Sequence, residues 1–90
     1  MFFNMKTIFS ERYRKLVGWL IAERKFKKIS QVDLAKKLGF PNSTYISKIE
    51  QFERRMDVLE YVMICEGIGL NPKDGLDTLS LQALGPKTES

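Results

Sequence analysis

Residues 30–50, SQVDLAKKLGFPNSTYISKIE, decide the fold of this chain, because they predict two short helices joined by a tight turn. Ser30 and Asp33 have the spacing of a capping box, which starts a helix by satisfying its first free backbone N–H groups. Gly39 can adopt the left-handed conformation that ends a helix, and Pro41 prevents that helix from continuing. The stretch therefore predicts a helix, a sharp corner and a second helix.

The apolar residues of this stretch lie on one face of each predicted helix. The first helix has three such residues, Leu34, Ala35 and Leu38. In the second helix, Ile46 and Ile49 have the three-residue spacing of a buried stripe. A small residue under a close helix crossing, with glycine at the corner, is what a helix-turn-helix requires.

The helix-turn-helix and the residues on either side of it carry a resemblance to a known family. The residues concerned are Arg24, Ile29-Ser30-Gln31-Val32-Asp33-Leu34-Ala35, Leu38-Gly39, Ile46-Ser47-Lys48-Ile49-Glu50 and Glu53-Arg54-Arg55-Met56-Asp57. On these residues the chain resembles the lambda-repressor/Cro-type (XRE-like) helix-turn-helix domains of bacteria and phages. The resemblance covers most of the chain. It implies an all-α, compact five-helix lambda-repressor-like DNA-binding domain, with its helix-turn-helix at helices 2 and 3.

The turn before the second helix departs from the family pattern. The segment from Gly39 to Glu50 is one residue longer than in the family. With a turn of ordinary length, Tyr45 and Lys48 would take the core positions, and burying an ammonium group is costly. We therefore place the extra residue within residues 40–44, which keeps the isoleucines inside and the polar edge of the helix outside.

Three segments are expected along the chain. Residues 1–10 are an apolar N-terminal arm, which packs on the domain or on a second copy. Disorder of its first few residues is the alternative. Helix 1 is expected to begin at Ser10 or Glu11. Residues 11–79 form the helix-turn-helix DNA-binding domain. Residues 80–90 form a tail whose two leucines contact a dimer partner or pack on their own domain: Leu81 and Leu84.

A fourth helix is predicted to follow Asp57, which is a good N-cap residue. Its apolar residues occupy nearly every side: Val58, Leu59, Val62, Met63, Cys65 and Ile68. A helix that is apolar all round is typical of a protein interior. We therefore expect this helix to be the central core helix.

Charge is unevenly distributed along the 90 residues. The net charge is +4, but residues 1–55 have a balance of +8 and residues 56–90 a balance of −4. A basic front half and an acidic back half suit a protein that presents one side to a polyanion. Ordinary solvated helix faces are the alternative explanation.

Composition argues against several classes of function. The sequence has no histidine and one cysteine, Cys65, so we expect a buried thiol and no zinc site or cofactor. Without histidine the commonest general base is missing, and we expect no enzyme activity. No signal peptide or membrane span is predicted, and we expect a cytoplasmic protein.

The resemblance also assigns roles to individual residues. It implies base contacts by three residues at the polar edge of helix 3: Ser43, Thr44 and Lys48. The residues leave open whether the Lys48 ammonium donates to a guanine edge or to phosphate. The resemblance implies contacts to the DNA backbone by Gln31, Asn42, Ser47, Arg54 and Arg55, and ordinary solvated residues are the alternative for Gln31 and the two arginines. Lys28 belongs to a basic cluster that is expected to meet phosphate, and Tyr45 is expected to pack on the sugar-phosphate backbone or on a thymine methyl group. A structural ion pair between Arg24 and Glu50 is expected to brace helix 1 against helix 3.

The favoured function is a sequence-specific regulator of transcription that binds double-stranded DNA. The resemblance implies a repressor that acts as a homodimer on a palindromic operator, and no small-molecule ligand is expected. An antitoxin or protein-interaction module of the same fold, with a protein partner, is the alternative.

Overall fold

The computed structural model describes the backbone of residues 2–79 and the side chains of residues 11–79. This part of the chain contains five α-helices and no strand, which confirms the predicted all-α fold. The helices are α1 (Phe2–Phe26), α2 (Gln31–Leu38), α3 (Thr44–Glu50), α4 (Val58–Ile68) and α5 (Pro72–Leu76). A single 3-10 turn, Asp77–Leu79, follows α5.

Helix α1 is longer than the sequence pattern indicates. The prediction that it begins at Ser10 or Glu11 is wrong, because α1 runs without interruption from Phe2. No proline or glycine lies between residues 2 and 17, and a single serine inside a helix costs only a few tenths of a kcal/mol. The side chains of the expected N-terminal arm and all of the tail at 80–90 lie outside the described residues.

Capping boxes start both α2 and α4. Ser30 Oγ accepts a hydrogen bond from the Asp33 backbone N–H at 2.9 Å, as predicted. At α4, the carboxylates of Asp57 and Glu60 accept each other's backbone N–H, both at 2.8 Å. Gly39 ends α2 with a φ of 82°, in the left-handed conformation that favours glycine.

The core confirms the register chosen for α3. Ile46 and Ile49 are each 2% exposed, and they pack in one cluster with the buried residues of α1, α2 and α4. The extra residue of this chain therefore lies in the turn between α2 and α3. The opposite edge of α3 is left at the surface.

Helix α4 is a core helix on one face only. Its buried residues form a single stripe: Tyr61, Ile64, Cys65 and Ile68. Val58 and Leu59 are 79% and 67% exposed, so the prediction of a helix buried all round is wrong for its first turn. A helix buries the stripe that faces its neighbours, and Val58 instead lines an open apolar groove of about 260 Å³ between α4 and α5.

Helix α5 packs closely against α1 and α4 through Gly75. A Cβ atom at this position would overlap the Trp19 ring and the Tyr61 hydroxyl. The Tyr61 hydroxyl donates a hydrogen bond to the Pro72 carbonyl at the start of α5. Trp19 is therefore a packing residue against α5, which leaves the α3 side of the domain to the polar residues.

Candidate nucleic-acid interface

A buried ion pair fixes the end of α3. Arg24 of α1 donates from Nε to Glu50 Oε2 at 2.7 Å and from Nη2 to Glu50 Oε1 at 2.9 Å. Arg24 is only 7% exposed, and its Nη1 donates to the Ile29 carbonyl at 2.8 Å. Two parallel N–H···O bonds fix direction as well as distance. The ion pair expected from the sequence is thus present, and it holds α1 against α3.

Gln31 joins this ion pair from the start of α2. Its Nε2 donates to Glu50 Oε1 at 2.8 Å. A side-chain amide has two N–H donors and one carbonyl acceptor, so this bond leaves a donor for another partner. Gln31 is also the first residue of α2, where free backbone N–H groups favour anions. Its position is compatible with the predicted phosphate contact, with part of the side chain engaged in bracing α3.

Two of the residues expected to contact bases, Ser43 and Thr44, lie at the start of α3, and the third, Lys48, lies in its last turn. Thr44 and Lys48 are exposed and one helical turn apart. Ser43 occupies the N-cap position, yet its side chain makes no capping hydrogen bond. Thr44 and Lys48 are therefore on the exposed side of α3, away from the buried isoleucines, and half-buried Ser43 precedes them.

Two other polar residues at this edge have local partners. Asn42 Oδ1 accepts a hydrogen bond from the Thr44 backbone N–H at 2.9 Å, which stabilises the start of α3. Ser47 Oγ accepts one from Gln51 Nε2 at 3.2 Å. Both residues lie beside the residues expected to contact bases. The Asn42 side-chain amide N–H groups and the Ser47 hydroxyl hydrogen are not used in these two hydrogen bonds.

Tyr45 packs against other residues of the domain. Its ring lies edge-on to Phe40 with the centroids 4.7 Å apart, and the Arg54 guanidinium lies 4.3 Å from the centroid of the Tyr45 ring. The hydroxyl oxygen is buried. Burial, and then the neighbouring Glu60 carboxylate, raises the pKa of Tyr45 above its ordinary value. The aromatic ring is therefore held between the α2–α3 turn and the segment after α3. The contact of Tyr45 with the DNA backbone stays a prediction.

Glu60 is the residue of this site that sequence reasoning missed. Its Oε2 lies 3.2 Å from Arg54 Nη2, on the surface beside Tyr45. The Tyr45 hydroxyl and the Asp57 backbone N–H hold the pKa of the Glu60 carboxyl below its usual range. The available signal was the spacing of Asp57 and Glu60, which is that of a capping box.

The remaining predicted backbone contacts are exposed cations. Arg54 donates to its neighbour's carbonyl oxygen and to Glu60, and it is 44% exposed. The Arg55 guanidinium lies 4.9 Å above the Tyr13 ring. Lys28 lies in the turn before α2 with a φ of 59°. Arg54 and Arg55 are thus near α3, whereas Lys28 is on the approach to the amino terminus of α2.

The described residues hold no group of three or more side chains that could ligate a metal ion. None of the described helices has the length and apolar character needed to cross a bilayer. What these residues provide is a surface of hydroxyl, amide, ammonium and guanidinium groups around α3.

Comparison with known proteins identifies the family. The chain is similar to a solved structure described as an XRE-family like protein from Pseudomonas syringae pv. tomato str. DC3000. The sequence identity is 40%, the TM-score is 0.82, and the match covers 92% of this chain and 98% of that one. No protein-family model and no curated protein matches the sequence. Because the identity extends over nearly the whole length of both chains, this protein belongs to the XRE-like family of helix-turn-helix proteins.

Proposed function

We propose that this protein is a transcriptional regulator that binds double-stranded DNA in a sequence-specific manner. The observation that carries the proposal is the orientation of α3. Ile46 and Ile49 are buried, Arg24 holds Glu50 at the end of the helix, and the opposite edge is polar. A helix presented in this way fits the major groove, where hydrogen-bonding side chains distinguish base pairs.

We assign base contacts and contacts to the DNA backbone to two different groups of residues. Base contacts are assigned to Ser43, Thr44 and Lys48. Contacts to the DNA backbone are assigned to Gln31, Asn42, Ser47, Arg54, Arg55 and Lys28. The basic residues lie in the half of the chain that contains α3, with a balance of +8 over residues 1–55, which supports binding to a polyanion.

The proposed form is a homodimer that represses from a palindromic operator. Two copies would place their α3 helices in successive major grooves, with half-sites about 34 Å apart along the duplex. An exposed apolar surface supports self-association: Val58, Leu59 and Leu76. It borders the groove between α1, α4 and α5. We assign the tail at residues 80–90 to the dimer contact and residues 11–79 to DNA binding.

Selection from a pool of random duplexes, read by sequencing, tests this function. A palindromic consensus with two half-sites is expected for the purified protein. Lys73→Gln is a matched control. It also removes one positive charge, but from α5, which packs against α1 and α4. The Lys73→Gln variant should select the same consensus as the wild type. A flat distribution of selected sequences contradicts the proposal.

A protein-interaction module of the same fold, such as an antitoxin, is the second candidate. The exposed apolar side chains beside the α4–α5 groove favour it, since single domains rarely leave such a patch uncovered. Co-purification of a stoichiometric partner that is lost in a Leu59→Ser variant would support this function. Leu59 also belongs to the surface proposed for self-association, so retention of the palindromic consensus in that variant would place the dimer contact elsewhere.

A further inference from the structure

Phe52 has an unusual backbone conformation for its residue type. Its φ is 64°, in the left-handed region, where a side chain other than glycine is strained. Phe52 follows α3 by two residues, and its backbone N–H donates to the Ile49 carbonyl at 3.1 Å. The Glu53 backbone N–H also donates to the Lys48 carbonyl at 2.8 Å, so Phe52 occupies the left-handed position of a helix C-cap, and these hydrogen bonds offset its strain.

The strained conformation places the Phe52 ring against α1. The ring packs edge-on against Tyr13 with the centroids 6.4 Å apart. The Arg14 guanidinium lies 4.4 Å above the Phe52 ring, and the Arg55 guanidinium lies 4.9 Å above Tyr13. Two arginines, one from α1 and one from the segment after α3, are thus held on a single aromatic pair.

We propose that Arg14 contacts a DNA phosphate and that Phe52 positions it, so that the interface continues from α3 onto α1. The proposal rests on the DNA-binding function proposed above and adds residues to that same surface. Arg54 connects the two parts, because it stacks on Tyr45 of α3 and directly precedes Arg55.

The chemistry of these arginines suits a phosphodiester. A guanidinium stacked on a ring keeps its in-plane N–H donors directed outward, and stacking reduces the freedom lost on binding. Arg14 and Arg55 are both exposed. Within residues 11–79, the side-chain ion pairs are Arg24–Glu50 and Arg54–Glu60. Arg14 and Arg55 have no carboxylate partner among these residues, so each can pair with an external anion.

Salt-dependent binding of the selected operator and of an unrelated duplex, measured by fluorescence anisotropy between 50 and 200 mM salt, tests the proposal. Arg14→Gln should weaken both duplexes and reduce the slope of log K against log salt by about 0.9, the value of one lost phosphate contact. Lys73→Gln is the matched control and should keep the wild-type slope. The order of preferred duplexes should stay the same in both variants.

Phe52→Gly tests the positioning role separately from folding. Glycine relieves the left-handed strain, which offsets the lost ring packing, so the melting temperature should remain close to that of the wild type. Affinity for both duplexes should nevertheless fall. In the Arg14→Gln/Phe52→Gly double variant, the loss of affinity should be smaller than the sum of the two single losses. Both substitutions weaken the same phosphate contact, that of Arg14.

The outcomes separate this inference from the proposed function. If the wild type prefers no duplex, both fall. If the wild type selects an operator but Arg14→Gln keeps its affinity and salt slope, the extension onto α1 is overturned while the function stands. Additive losses in the double variant would overturn the positioning role of Phe52.

Discussion

Two arginine–glutamate pairs involve or contact α3 and differ in their surroundings. The side chains of Arg24 and Glu50 are 8% and 14% exposed, with a shortest N···O distance of 2.7 Å. Those of Arg54 and Glu60 are 44% and 22% exposed, at 3.2 Å. A buried pair that loses one partner leaves an uncompensated charge, whereas an exposed pair exchanges readily with water and ions. The first pair therefore fixes the position of α3, and the second leaves Arg54 able to move to a phosphate.

The largest expected difference between the two pairs is in stability. Arg24→Ala should lower the free energy of unfolding by about 3–5 kcal/mol, because Glu50 is left buried without its partner. Arg54→Ala should lower it by less than about 1 kcal/mol. Urea unfolding followed by circular dichroism measures both. Equal losses would mean that burial does not distinguish the pairs.

The next largest effect concerns the edge of α3 that the buried pair orients. Lys48→Ala or Thr44→Ala should change the order of preferred operators, with about 1–3 kcal/mol lost at a base pair that was contacted by two hydrogen bonds. Competition binding against a panel of single-base operator variants gives the ranking. A uniform loss across the panel would assign these residues to the backbone instead.

Arg54→Ala should have the opposite signature to Lys48→Ala. It should weaken every duplex alike and reduce the salt slope by about 0.9, as expected for one phosphate contact. Anisotropy titrations at several salt concentrations are the measurement. A changed operator ranking with an unchanged slope would contradict the role given to the exposed pair.

Glu60→Gln should have a smaller effect, an increase in DNA affinity that involves only the exposed pair. Glutamine preserves the capping box of α4, in which either residue type can serve, but it removes the negative charge beside Arg54. Affinity should rise for all duplexes, because Arg54 no longer exchanges an intramolecular carboxylate for a phosphate. An affinity at or below that of the wild type would show that Glu60 does not compete with DNA.

The smallest effect is on the pH dependence of stability. The pKa of the Glu60 carboxyl is lower in the folded protein than its usual value. Ionised Glu60 therefore stabilises the fold above the pKa of the unfolded chain, about 4.3, and this contribution is lost as the pH falls through the folded pKa. The free energy of unfolding should fall less steeply below about pH 5 in Glu60→Gln than in the wild type, as measured by urea unfolding across pH. Parallel curves would contradict this.

The features that could be predicted from the sequence depend on spacing along one or two helices. The capping residues Ser30 and Asp33 lie three positions apart, and the inward register of Ile46 and Ile49 follows from helical periodicity. The pairing of Arg24 with a glutamate 26 residues away came from the family resemblance. The family resemblance could also be recognised from the sequence, because the motifs that carry it are local.

The features that were missed depend on neighbours distant in the sequence or on the absence of a local signal. Tyr45 turns inward because Phe40 and Arg54 enclose its ring, a contact that no periodicity encodes. Phe52 is a residue type that rarely adopts positive φ, so its conformation has no signal in the sequence. The start of α1 was placed too late because Ser10 looks like a cap residue.

A crystal structure of the protein bound to its selected duplex would show which element enters the DNA groove. We expect α3 in the major groove, with polar atoms of Ser43, Thr44 and Lys48 within hydrogen-bonding distance of base edges. Tyr45 should remain packed against Phe40. A complex in which another element occupies the groove, while the polar edge of α3 faces solvent or a protein partner, would contradict the account.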